Sequence, residues 1–122
     1  MELKWDGNKT EWEQGGFVIN AKFLPDDLTP PACFLDCLPG KRYEAWKHDE
    51  WYYGGIVVSV ARRLPPIVGN GYTQTRGDIV LAEEALWGIE SDSGDEYFSS
   101  VAQQLAKDAI AEARQTLKDL LT

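Results

Sequence analysis

The segment Trp51–Ala61, WYYGGIVVSVA, decides the fold of this 122-residue chain. Four of the five residues from Ile56 to Val60 are β-branched, and such a run is typical of a central strand that is covered on both faces. The pair Gly54–Gly55 inside it predicts a β-bulge or a close approach of another part of the chain. After a loop, the segment Asp78–Ile89 is predicted to return as the second strand of a long antiparallel hairpin.

Two further strand signals lie upstream of this hairpin. Every second residue of Phe17–Phe23 is apolar, which predicts a strand with one apolar face. Asp6–Gly7 is a two-residue turn signal and predicts a small hairpin between the apolar residues around it. Those flanking residues are Leu3, Trp5 and Trp12.

The C-terminal third of the chain is predicted to form one long helix that runs to about Leu120. Ser93 and Glu96 have the spacing of a capping box, and Asp95 and Glu96 suit the positive end of the helix dipole. Apolar residues recur every three or four positions and form a stripe that is rich in alanine, which permits close packing on a sheet. The stripe contains Phe98, Val101, Ala102, Leu105, Ala106, Ala109, Ile110, Ala113 and Leu117.

These elements predict an α+β fold in one domain, residues 1–122, with an antiparallel sheet of about three to five strands and the long helix packed on it. A short helix near residues 31–38, ended by Pro39–Gly40, is a further expectation, and an extended segment around Phe34 is the alternative. The loop Pro65–Gly77 is long for a compact domain, and loops of this length are often functional.

The net charge of the chain limits the classes of molecule that it is expected to bind. The chain has 20 acidic and 12 basic residues, a formal net charge of −8. Such a surface repels nucleic acids and anionic membranes and attracts basic partners, although plain solubility also explains it. The chain has no apolar run of membrane-spanning length and no signal-peptide core at its start. We therefore expect a cytoplasmic protein with Cys33 and Cys37 reduced.

The residue types that commonly carry chemistry are sparse. His48 is the sole histidine, and no serine or cysteine motif supplies a catalytic partner for it. Cys33 and Cys37 lack the further ligands of a structural zinc site. A weak divalent-cation site at Asp92, Asp95 and Glu96 competes with the helix-start role of the last two. The expectation is a binding protein, not an enzyme, without metal or cofactor.

Seven acids lie between Asp78 and Glu96, and no lysine or arginine occurs between Arg76 and Lys107. Asp95 and Glu96 are accounted for as helix-start acids, and Asp78 follows a loop. The acids left are predicted to bind a positive partner, with an exposed aromatic residue as anchor. These predicted partner-binding residues are Glu83, Glu84, Glu90, Asp92 and Tyr53.

Three segments, WYYGGIVV at 51–58, EALWGIES at 84–91 and DEY at 95–97, resemble a pattern in small proteins of bacteriophages and mobile elements. The resemblance implies a phage setting, in which small acidic proteins include anti-CRISPR and antirestriction proteins, several of which mimic DNA. The chain would then act in the host bacterial cytoplasm as an inhibitor that binds the basic groove of a nucleic-acid-binding defence complex, with no direct contact to nucleic acid.

Two alternatives stay open. A small ligand-binding protein or enzyme would use the loop 64–77 as a lid and Arg62, Arg63 or Arg76 as anion holders. A structural subunit that self-associates, for example as a homodimer, would use the sheet or the C-terminal helix.

Overall fold

The computed structural model describes residues 3–26, 40–48, 50–74 and 77–120. Its elements confirm the predicted α+β fold. In chain order they are β1 (Lys9–Gln14), β2 (Phe17–Pro25), α1 (Gly40–Lys47), β3 (Tyr53–Arg63), β4 (Ile67–Gly69), β5 (Tyr72–Gln74), β6 (Asp78–Glu90) and α2 (Asp95–Leu120).

The main sheet has four strands in the order β1-β2-β3-β6, and every neighbouring pair is antiparallel. The β-branched run of β3 therefore lies centrally, and β3 with β6 forms the predicted long hairpin. The end of that hairpin carries a second, two-stranded sheet, β4–β5, where the sequence predicted only a loop. The predicted N-terminal turn is present, since Asp6 and Lys9 bond to each other through their backbones on either side of Gly7.

Helix α2 covers one face of the sheet and forms the core with it. Four alanines along the helix, Ala102, Ala106, Ala109 and Ala113, are fully buried, because side chains this small let the helix backbone approach the strands closely. At the start of the helix, Phe98 stacks on Phe23 of β2 with ring centroids 4.8 Å apart. On the opposite face of β3, Val57 and Ser59 stay half-buried, so the expected full cover holds only on the side of α2.

The capping box predicted for this helix is wrong. The Ser93 hydroxyl donates a hydrogen bond to the backbone carbonyl of Glu90 at 2.7 Å and so completes the preceding turn. The first helical hydrogen bond runs from the Phe98 N–H to the Gly94 carbonyl at 3.0 Å. Gly94 has φ +93°, a conformation that a glycine adopts without strain and serine does not. Asp95 and Glu96 do lie in the first turn, as predicted.

The second predicted helix, at residues 31–38, lies outside the described residues, as do Cys33 and Cys37. A short helix does occur next to it, but α1 begins at Gly40, a residue that was expected to end a helix.

Candidate partner-binding surface

Two of the four predicted binding acids, Glu90 and Asp92, form ion pairs within the molecule. Arg42 of α1 donates hydrogen bonds to Glu90 Oε2 and to Asp92 Oδ2, each at 2.7 Å. The guanidinium carbon lies 4.2 Å from the centre of the Trp51 ring, and the Trp51 indole N–H donates to the Arg42 backbone carbonyl at 2.9 Å. We call Arg42, Trp51, Glu90 and Asp92 the Arg42 clamp. It fastens α1 to the end of β6.

The charges of the clamp are partly neutralised within the chain, because one arginine pairs with two carboxylates. The hydrogen bond from Arg42 lowers the pKa of Asp92, and the two carboxylates raise the pKa of Arg42, because each charge stabilises the charged form of the other. Because Asp92 accepts hydrogen bonds from Arg42, it is engaged away from the divalent-cation site considered for Asp92, Asp95 and Glu96. In the described part of the chain, no three acidic, histidine or cysteine side chains converge to hold a metal ion.

Glu83 and Glu84 lie away from this clamp, on the strand that forms one edge of the sheet. Since neighbours on a strand point to opposite faces, the two carboxylates separate. Glu84 is paired with Val58 and is directed to the face that α2 covers, whereas Glu83 is paired with Ser59 and is exposed on the other face.

Glu84 lies close to two further acids, Asp108 and Glu112, which were not predicted from the sequence. A hydrogen bond with the Glu112 carboxyl raises the pKa of Glu84, and desolvation and the charges of Glu112 and Asp108 act in the same direction. All of these causes disfavour the ionised form of Glu84 relative to a free glutamate. Among the described residues, no lysine or arginine forms an ion pair with any of the three.

The helical period explains this group. Asp108 and Glu112 are one turn apart, so both lie on the flank of α2 that faces β6. Arg114 lies on the other flank, where its guanidinium approaches the position that a side chain on Gly15 would occupy. The i,i+4 spacing of the two acids is visible in the sequence, but their approach to Glu84 depends on how the helix crosses the sheet.

The expectation that Tyr53 is the exposed aromatic anchor is wrong. Tyr53 is 5% exposed and packs edge-to-face against Trp51, with ring centroids 4.9 Å apart. Its neighbour Tyr52 is exposed, and so is Trp87 on β6, at 48%. The Trp87 ring lies across Gly55, where an added Cβ would be 2.3 Å from the ring. Both features predicted for Gly54–Gly55 are therefore present. The register with β6 shifts between the two glycines, and the Trp87 ring approaches Gly55 closely.

Trp87 belongs to a regular stretch between two bulges. The register of β6 against β3 slips at Leu81 and at Gly88, and Gly88 has φ +81°. Between them, the six residues Ala82–Trp87, which we call the β6 platform, pair without interruption with Val60–Gly55. Glu83, Ala85 and Trp87 lie on one face, and Glu84 and Leu86 on the other. In the described part of the chain, no strand pairs with the outer edge of the platform.

The basic residues of the ligand-binding alternative lie elsewhere. Arg62 and Arg63 line an open depression of about 310 Å³ beside the β1–β2 turn, and none of its lining residues belongs to the loop 64–77. Arg63 already contacts Glu13 and Asp78, each at 3.6 Å. Arg76 lies outside the described residues. The imidazole of His48 is largely exposed, with Glu44 at 3.9 Å.

Neither of the described helices combines the length and the apolar character needed to cross a bilayer. Comparison of the chain with protein-family models, with curated proteins and with solved structures found no match.

Proposed function

We propose that this chain is a binding protein, not an enzyme, and that the β6 platform and the adjoining flank of α2 contact a basic protein surface. One observation carries the proposal. The exposed apolar side chains Leu86 and Trp87 lie on the same short stretch as Glu83 and Glu84, whose charges no base in the described part of the chain balances. An exposed aromatic residue with polar residues beside it is a common composition of an interface hot spot.

The cluster of acidic side chains formed by Glu84, Asp108 and Glu112 supports a basic partner in particular. Glu84 lies beside Glu112 and Asp108, and a hydrogen bond with Glu112, desolvation and the negative charges of both acids raise its pKa. A lysine or arginine from a partner would offset the negative charge of these acids and lower the pKa of Glu84. The net charge of −8 would also draw a basic partner in over a distance, so association should slow as salt is added.

For the partner class we propose a nucleic-acid-binding protein, whose groove is basic because it holds phosphates. The chain would block that groove as an inhibitor of a host defence complex, of the anti-CRISPR or antirestriction type. The resemblance of residues 51–58, 84–91 and 95–97 to phage proteins supports this finer proposal, and so does the acidic surface.

The test is capture of partners from a bacterial lysate on the immobilised chain, eluted with rising salt and identified by mass spectrometry. The variant Glu83→Lys/Glu84→Lys should lose the captured protein, and its fold should persist because a lysine at 84 would face Asp108 and Glu112. The matched control Glu11→Lys/Glu44→Lys makes the same change in net charge at exposed positions outside this surface and should retain it.

Two results define success. The captured protein must bind nucleic acid on its own, and added DNA must compete with this chain for it. Trp87→Ala should weaken the purified pair by about 100-fold, because burying the exposed half of the ring, roughly 100 Å², is worth about 2–3 kcal/mol. Equal binding by the platform variant and the control variant would refute the mapping.

A further inference from the structure

The two edges of the main sheet differ in how they are protected against strand pairing. Natural edge strands are commonly short or carry lysine or proline. The edge strand β1 has six residues and contains Lys9, whereas β6 has thirteen and contains neither lysine nor proline. Four of its large apolar side chains are exposed, namely Ile79, Val80, Leu86 and Trp87.

The bulges at Leu81 and Gly88 limit where another strand can pair. Each bulge disrupts the regular spacing of backbone groups, so only the six residues of the β6 platform present an uninterrupted outer edge. Six residues are roughly 20 Å of strand and match the usual length of a strand in a globular protein.

The platform also specifies the side chains of a strand that would pair with it. Cross-strand neighbours interact directly, and like charges placed opposite each other repel. Glu83 and Glu84 are consecutive and therefore call for two consecutive basic residues, one on each face. Leu86 and Trp87 are consecutive too and call for two consecutive apolar residues. Ala85 separates the two pairs.

A second copy of this chain fits this edge poorly. Two β6 strands side by side would bring together two sets of Glu83 and Glu84 and two α2 flanks that each carry Asp108 and Glu112. No base in the described part of the chain forms an ion pair with these acids to offset the repulsion. The same charges favour a basic strand.

We propose that the β6 platform binds an extended segment of its partner by strand addition, and that this segment carries two adjacent basic and two adjacent apolar residues separated by one residue. This inference rests on the proposed function and states how the partner docks. Backbone hydrogen bonds to the edge supply affinity, and the alternating side chains supply specificity. In antiparallel pairing, the apolar pair precedes the basic pair in the partner sequence.

The probe is the blocked hexapeptide VITRRT, titrated into the full-length chain at low salt while backbone amide shifts are followed by NMR. We expect the shifts to concentrate on Ala82–Trp87 and the affinity to be lost in Glu83→Lys/Glu84→Lys. The reversed peptide TRRTIV tests parallel pairing.

The control peptide VPPRRT keeps both arginines. Its adjacent prolines ensure that at least one missing N–H falls on the side facing β6, so we expect it to bind about tenfold more weakly. The acidic peptide VITEET should not bind.

The possible outcomes separate this inference from the proposed function. Equal binding of VITRRT and VPPRRT would refute strand addition while leaving an acidic binding surface intact. Failure of both VITRRT and TRRTIV to bind would also refute it, even if the lysate partner still requires Glu83 and Glu84. Concentration-dependent dimerisation with shifts on β6 would show that a second copy occupies this edge.

Discussion

Replacing Arg42 by alanine should destabilise the fold by about 2 kcal/mol. Arg42 forms two ion pairs, with Glu90 and Asp92, in which its side chain is 31% exposed and theirs 36% and 48%. Partly exposed pairs of this kind contribute up to about 1 kcal/mol each. The stacking of the guanidinium on Trp51 adds roughly 0.5–1 kcal/mol. For a chain of this size, the loss should lower Tm by roughly 6–10 °C.

The pH dependence provides a second measurement of the same clamp. Arg42 lowers the pKa of Asp92, so the stabilisation is fully present above the unfolded pKa of Asp92. It is lost as pH falls through the lower folded pKa. The stabilities of the wild type and Arg42→Ala in urea should therefore differ more at pH 7 than in strong acid, where only the stacking of Arg42 on Trp51 remains.

The lysine variant separates charge from geometry. Arg42→Lys keeps the positive charge but cannot bond both carboxylates as a planar fork, so its stability should lie between those of the wild type and Arg42→Ala. Arg114→Ala, at an exposed position of α2, should change little. If Arg42→Ala unfolds at the same urea concentration as the wild type at pH 7, the clamp does not contribute to stability.

Two further predictions concern the platform and the strand beside it. Glu84→Gln should stabilise the fold at pH 7, because the raised pKa of Glu84 favours folding at low pH and this contribution is lost as pH rises through the folded pKa. Thermal unfolding between pH 3 and 7 checks this, with Glu83→Gln as the control. Gly54→Ala should cost about 3 kcal/mol, since its Cβ would lie 2.5 Å from a backbone carbonyl of β2. Gly55→Ala should cost less, because the exposed ring of Trp87 can move, and comparative urea unfolding tests the order.

The sequence predicted those features of the fold that depend on local patterns. The β-branched run of β3 and the alanine stripe of α2 are visible because residues two positions apart on a strand, or three to four apart on a helix, share a face. The small sheet β4–β5 was missed, because its strands have three residues each, too few to show a period.

The errors at the candidate site arose from contacts between distant parts of the chain. Neighbours on a strand point to opposite faces, so one of Tyr52 and Tyr53 is expected to be exposed, but which one depends on Trp51 packing against Tyr53. The ion pairs of Arg42 span 48 and 50 residues. No local pattern relates that arginine to Glu90 or Asp92, so these acids could not be recognised as internally paired.

The four predicted binding acids fall into two groups, and this division supports the proposal that the candidate surface binds a partner. Had all four predicted acids been unpaired, general solubility would explain them as well as binding does. Instead, Arg42 pairs with Glu90 and Asp92 at the end of β6, whereas Glu84, six residues before Glu90, lies beside the acids Glu112 and Asp108 of α2. A chain that needs charge only for solubility gains nothing by bringing like charges together beside an unpaired strand edge, whereas a chain that binds a basic strand has a use for both features.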